Sequence, residues 1–143
     1  MTRPTFEMSF TAEAEDIDEL GHVNNAVWVQ WIQTIAVAHW HSVCDPAHHD
    51  AYFWVVVRHE IDYVRPLFHR YEPVTVETWV TKLNAASATI AYEIKDAGTV
   101  YVRAETVIVP YDLEKERPRR LTAGERAFLE GYFDDSAAAP RIR

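Results

Sequence analysis

The chain has 143 residues, 48% hydrophobic and 13% aromatic, enough for one packed core, so a single domain over 1–143 is expected. Its 22 acidic residues against 14 basic ones leave a formal charge of −8, which excludes the broad basic face that collects a nucleic-acid backbone. The lone cysteine, Cys44, excludes an internal disulfide framework, and the start, Met1 to Glu7, lacks the apolar run and cleavage site of a secretory leader; a cytoplasmic protein is expected.

Taken in chain order, a first strand is predicted at about Thr5 to Ala14, followed by a long apolar segment from Ala26 to Cys44. Gln30, Gln33, Thr34, His39 and His41 interrupt that segment, so it is no transmembrane span. At helical period Trp28, Ile32, Ile35, Ala36, His39 and Val43 form one stripe, and Val27, Val29, Trp31 and Trp40 carry apolar character round the cylinder. Such a helix has to be wrapped by something. Asn24 or Asn25 supplies its N-cap, and Asp45-Pro46 its stop.

Beyond Pro46 the pattern turns to alternation and β-branched residues, which predicts strands at Tyr52–Val64, Val74–Leu83, Ser87–Ile94 and Val100–Val109. The last two are joined through Lys95–Thr99, where Gly98 suits a hairpin turn. Thr122 followed by Glu125 is a capping box that opens a short surface helix bearing Phe128, Leu129 and Tyr132, and Ala137–Arg143 is expected to fray. The fold class is therefore α+β: a five-stranded, mainly antiparallel sheet around one long helix, with a short C-terminal helix. A sheet this small leaves free edges and an uncovered face, so a dimer at least is expected.

The segment Asp16-Ile-Asp18-Glu-Leu-Gly21-His22-Val-Asn24-Asn25-Ala26 sets carboxylates, a glycine, a histidine and two amides directly before the buried helix. Unpaired N–H groups and the positive end of the dipole point out of a helix start, where they can hold a polarised carbonyl or a developing oxyanion. An aspartate just upstream can stand opposite that carbonyl as general base or nucleophile. The competing reading of the same residues is structural: Asp18 capping a turn, Gly21 supplying a positive φ, and an asparagine capping the helix.

This segment, with the aromatic Trp28 behind it, resembles the signature of hotdog-fold thioesterases of the 4-hydroxybenzoyl-CoA thioesterase type. Glu60–Leu67, Val74–Val80 and Pro118–Leu121 are similar to later segments of that family, and the resemblance covers about residues 6–133. It implies a long helix wrapped by an antiparallel sheet, assembled as a homodimer or homotetramer. It also implies acyl-CoA hydrolysis with no cofactor, coenzyme A being part of the substrate. Carried over residue by residue, Asp18 matches the catalytic carboxylate, the backbone N–H near Asn25 matches the group that polarises the thioester carbonyl, and His22 takes a supporting role. Glu13-Ala14-Glu15 and Tyr71-Glu72 depart from the family pattern, which bears on the choice of acyl group and carrier.

An acidic protein that binds coenzyme A needs a local basic patch for the phosphates. Lys115–Arg120 is the densest candidate, and Arg65, Arg117, Arg119 and Arg120 are the cations assigned to it, with Arg58, Arg70 and Lys82 behind them. His39, His41, His48 and His49 are spaced against sharing one metal ion, so no metal is expected. Two other functions stay open: an acyl carrier protein thioesterase and a non-catalytic acyl-thioester binding module. A hotdog dehydratase lacks its histidine and proline-rich loop here.

Overall fold

The apolar segment winds into α1 (Asn25–Val43), whose buried face is Val27, Trp28, Trp31, Ile32, Ile35, His39 and Val43. Ala36, on the predicted stripe, is only half-buried, whereas Val27 and Trp31 are fully covered, which widens the wrapped face beyond one stripe. Trp28 is 2% and Ile35 0% exposed, so the helix is the centre of the core and not a lid on it. The structure, a computed structural model, describes residues 5–43, 52–68 and 72–134. Cys44, the Asp45-Pro46 stop, His48, His49 and the tail Ala137–Arg143 lie outside the described residues.

Around α1 runs one antiparallel sheet in the order β1 (Phe6–Phe10), β3 (Val74–Leu83), β4 (Ala88–Asp96), β5 (Thr99–Asp112), β2 (Phe53–Tyr63). Its inner face follows the predicted alternation: Val74, Val76 and Thr78 are buried on β3, opposite Tyr92 and Ile94 of β4 and then Val102 and Ala104 of β5. β4 and β5 are joined by a two-residue turn at Ala97-Gly98, both at positive φ, +48° and +84°. That turn matches the twist of the paired strands.

Two strand expectations are corrected. The first strand stops at Phe10 rather than Ala14, because Ala14–Asp16 form a 3₁₀ turn closed by a reciprocal cap between Glu13 and Asp16. The sheet has six strands rather than five. Asp112 Oδ1 accepts the backbone N–H groups of Glu114 and Lys115 at 2.9 and 3.0 Å, and the chain reverses through Glu116 at φ +52°. Arg117–Pro118 thereby pair with Tyr111–Asp112 as β6.

The predicted capping box opens α2 (Ala123–Asp134): Glu125 N–H donates to Thr122 Oγ1 at 3.1 Å, and Thr122 N–H donates to Glu125 Oε1 at 2.9 Å. Leu129 of α2 packs with Tyr52 and Leu121 in a second small core beside Trp40 and Trp54. No helix of the described residues is long and apolar enough to cross a membrane.

Candidate active site

Residues 16–24 fold into a tight reversal at the start of α1. Ile17 bridges Val23, Asp18 N–H donates to the His22 carbonyl at 2.8 Å, and Asn24 N–H donates to the Asp16 carbonyl at 2.8 Å. The two limbs thus run side by side at about 5 Å, the spacing of paired strands. Gly21 makes the turn possible at φ +82°, a conformation that strains any residue with a Cβ. Val23 N–H donates to the Leu67 carbonyl at 2.8 Å, and His22 bridges Phe68, which fixes the reversal to the chain just beyond β2.

Within the reversal Asp18 does the structural work expected of a short carboxylate, its Oδ1 accepting from the N–H groups of Leu20 at 2.9 Å and His22 at 3.1 Å. One oxygen therefore holds the carboxylate in place, while the other, Oδ2, is unpaired among the described residues. Asn24, not Asn25, is the N-cap of α1: its Oδ1 accepts Ala26 N–H at 3.0 Å and its carbonyl accepts Val27 N–H at 2.9 Å. The Asn25 N–H meets no acceptor among the described residues, so the helix start keeps a donor where the dipole is positive. The His22 ring stands edge-on against Phe68 at 4.6 Å, an anchoring contact for the loop.

The four candidate cations are not together. Arg65 follows β2 and donates its backbone N–H to the Tyr101 carbonyl, whereas Arg117 pairs with Asp112 at the far end of β5. At the strand rise these points are roughly 35 Å apart within one chain. Arg65, Arg117 and Arg120 are exposed. Arg119 is engaged: it forms a two-pronged ion pair with Glu125 at 2.9 and 2.7 Å, and its guanidinium lies 4.7 Å from the centre of the Tyr52 ring. That pair raises the Arg119 pKa still further. Arg58 is paired with Glu60 at 3.2 Å, and Arg70 lies outside the described residues.

Between α1 and the inner face of the sheet lies a cavity of about 470 Å³ that composition and pattern did not reveal. Ile32, Ala36 and Trp40 wall it on the helix side, and Val56, Ile90 and Ile108 on the sheet side. None of Asp18, His22 and Asn25 lines it. Two polar side chains of its wall face each other, His59 of β2 and Thr106 of β5, with Nδ1 and Oγ1 2.8 Å apart. Alternation counted from Trp54 would turn His59 outward. A bulge between Val56 and Arg58 flips the parity, so His59 lies opposite the inward Thr106.

His39, also on the cavity wall, stacks on Phe6 at 5.0 Å, and burial lowers its pKa to about 4, so the ring is neutral at pH 7. Trp28 and Trp31 meet edge-on at 5.3 Å in the core, while Trp40 and Trp54 face the cavity. Among the described residues no three His, Cys, Asp or Glu side chains converge on a metal position.

The sequence profile of the thioesterase-like superfamily matches residues 12–131. No curated protein matches the chain. Among solved structures, a predicted thioesterase from Bacillus stearothermophilus superposes with a TM-score of 0.78 at 24% identity, over 89% of this chain and 95% of that one. A thioesterase from Thermus thermophilus complexed with coenzyme A and Zn gives 0.73 at 25% identity, over 87% and 91%. A hypothetical protein from Staphylococcus aureus in complex with CoA gives 0.82 at 16% identity, over 100% and 90%. The shared architecture is the hotdog.

Proposed function

The chain belongs to the thioesterase-like superfamily, and from that premise we propose that it hydrolyses acyl-CoA thioesters to the free acid and coenzyme A. The observation that carries the reading is the pairing of an open N–H at Asn25 with an Asp18 carboxylate held by one oxygen only, on adjacent limbs of one turn. The thioester carbonyl oxygen accepts from the Asn25 N–H, where the helix dipole stabilises the charge that develops on it. The free oxygen of Asp18 either takes a proton from the attacking water or attacks the carbonyl carbon itself to form an anhydride that water then opens. In both routes the C–S bond breaks with departure of a thiolate, which needs no strong acid to assist it. His22 keeps the turn docked on Phe68.

The bound CoA in two structures of the same architecture supports coenzyme A as the carrier. Arg65, Arg117 and Arg120, exposed on the surface, are the proposed phosphate contacts. The motif from Asp16 to Ala26 is what supports the 4-hydroxybenzoyl-CoA type within the superfamily.

A homodimer is part of the proposal. β2 is an eleven-residue edge strand that exposes Val56, Val57 and Tyr63, while the opposite edge, β1, has five residues. Pairing β2 with its symmetry mate runs the two copies antiparallel and removes the longer free edge. It also carries the Arg65 end of one copy toward the Arg117 end of the other.

The test is thiol release from a panel of aliphatic and aromatic CoA thioesters, with wild type beside Asp18→Asn. Turnover should fall by about 10²–10⁴ in the variant with fold and oligomer unchanged. Turnover seen only with acyl carrier protein thioesters would move the carrier, and binding without turnover in either form would make the protein a binding module.

A further inference from the structure

We propose that the cavity between α1 and the sheet is the seat of the acyl group, and that His59 with Thr106 makes it select acyl chains bearing a hydroxyl or oxo group remote from the thioester. This rests on the thioesterase reading for the direction in which the chain enters. The reversal at Asp16–Asn24 is tied to Leu67 and Phe68 beyond the end of β2, while Trp40 meets Trp54 near its start at 6.2 Å. β2 therefore runs against α1, and an acyl chain whose carbonyl sits at Asn25 enters the cavity at Ile32, about 10 Å along the helix. His59 lies midway along β2, level with the middle of α1, so the group it meets is many bonds from the carbonyl.

The wall around this pair is apolar: Ile90 pairs with Thr106 on one side, and Val56 and Ile108 lie next along the strands. Thr106 is 1% exposed, and a valine would fill its place with no hydroxyl to satisfy. Its Oγ1 takes up one imidazole nitrogen and holds the ring; Nε2 has no partner among the described residues. Because the Thr106 hydroxyl can donate to Nδ1 or accept from it, Nε2 is presented as donor in one tautomer and acceptor in the other. A hydroxyl satisfies either form, and a carbonyl satisfies the first. His59 itself is exposed on this edge strand, so Nε2 is open to water. A plain alkyl chain laid over the ring strips that water and returns nothing, which discriminates against the unsubstituted analogue. The bulge at Val57 is what brings His59 onto this wall, and bulges beside binding sites serve to re-aim single side chains.

The experiment uses straight-chain acids of six, eight and ten carbons, each plain and with a terminal hydroxyl, as free acids in calorimetry and as CoA esters in turnover. Wild type, His59→Leu and Thr106→Val are compared. At one chain length or more, wild type should favour the hydroxylated member by roughly tenfold in both readouts, and His59→Leu should abolish or reverse that preference. Thr106→Val, which frees the ring, should weaken it. Hydroxyl-selective binding of the acids, lost in His59→Leu, sustains the inference even if no thioester is turned over, in which case the catalytic reading alone fails. Equal binding of both members at every length, or a preference untouched in both variants, overturns it.

Discussion

Arg119 is where the sequence and the structure assign different work to one side chain, and the difference is measurable. Its guanidinium grips both oxygens of Glu125, whose side chain is 3% exposed, while Arg119 keeps 21% of its own surface in water. Glu125 Oε1 also accepts the Thr122 N–H that closes the cap of α2. Glu125→Ala therefore leaves a partly dry cation without its partner and removes half of a capping box. Breaking a buried pair costs about 3–5 kcal/mol, and the lower end applies because Arg119 reaches solvent; with the cap included, a loss of about 3 kcal/mol follows. At about 3 °C per kcal/mol for a chain of this size, Tm should fall by about 10 °C. Arg119→Ala should cost nearly as much, and the double variant about 2 kcal/mol less than the sum. Circular-dichroism melts at fixed protein concentration read all three. An Arg119→Ala melt within about 0.5 kcal/mol of wild type, or costs that simply add, would refute the structural role. Arg120→Ala is the complementary probe: it should raise KM for CoA esters without moving Tm and leave a pantetheine thioester alone, and equal effects on both substrates would remove Arg120 from the phosphate contacts.

Two further predictions concern pH and assembly. The His39 pKa, lowered to about 4 by burial, lies below its unfolded value, so the unfolded chain gains the proton first; this contribution is intact above pH 6.5 and is lost as pH falls toward 4. Urea unfolding should show it as about 2 kcal/mol between pH 7 and pH 5, absent in His39→Met; an unchanged slope in that variant would be the contrary result. Val57, 58% exposed at the bulge of β2, would meet a second copy paired along that strand. Val57→Lys should give a monomer in sedimentation velocity, and a persistent dimer would place the interface elsewhere.

What was legible in the sequence is what local physics decides. The period of Trp28, Ile32, Ile35 and Val43 specifies α1 because a helix repeats every 3.6 residues, and Thr122 with Glu125 specifies the start of α2 because a cap reaches only three residues. Asn24 and Asn25 were indistinguishable as caps: both are good ones, and the choice follows from the Asn24–Asp16 and Val23–Leu67 bonds, the second of which spans distant chain. β6 is two residues long, one of them Pro118, too short to carry any period.

The cavity escaped for a sharper reason. Strand alternation is a parity argument, and one unpaired residue reverses it for everything that follows. Counted from Trp54, His59 and Ile61 belong outside and Arg58, Glu60 and Asp62 inside; with Val57 bulged, His59 and Ile61 face Thr106 and Ala104 across the inner face. The same shift sends Arg58, Glu60 and Asp62 outward, where a charged set must lie if β2 is to have a core side at all. The charge pattern of Arg58-His59-Glu60-Ile61-Asp62 thus already implied the inward histidine, and the conflict between it and the apolar run Trp54–Val57 was the trace of the bulge. A reading that required both halves of β2 to bury one face would have placed an irregularity between them, and with it the polar pair on the cavity wall.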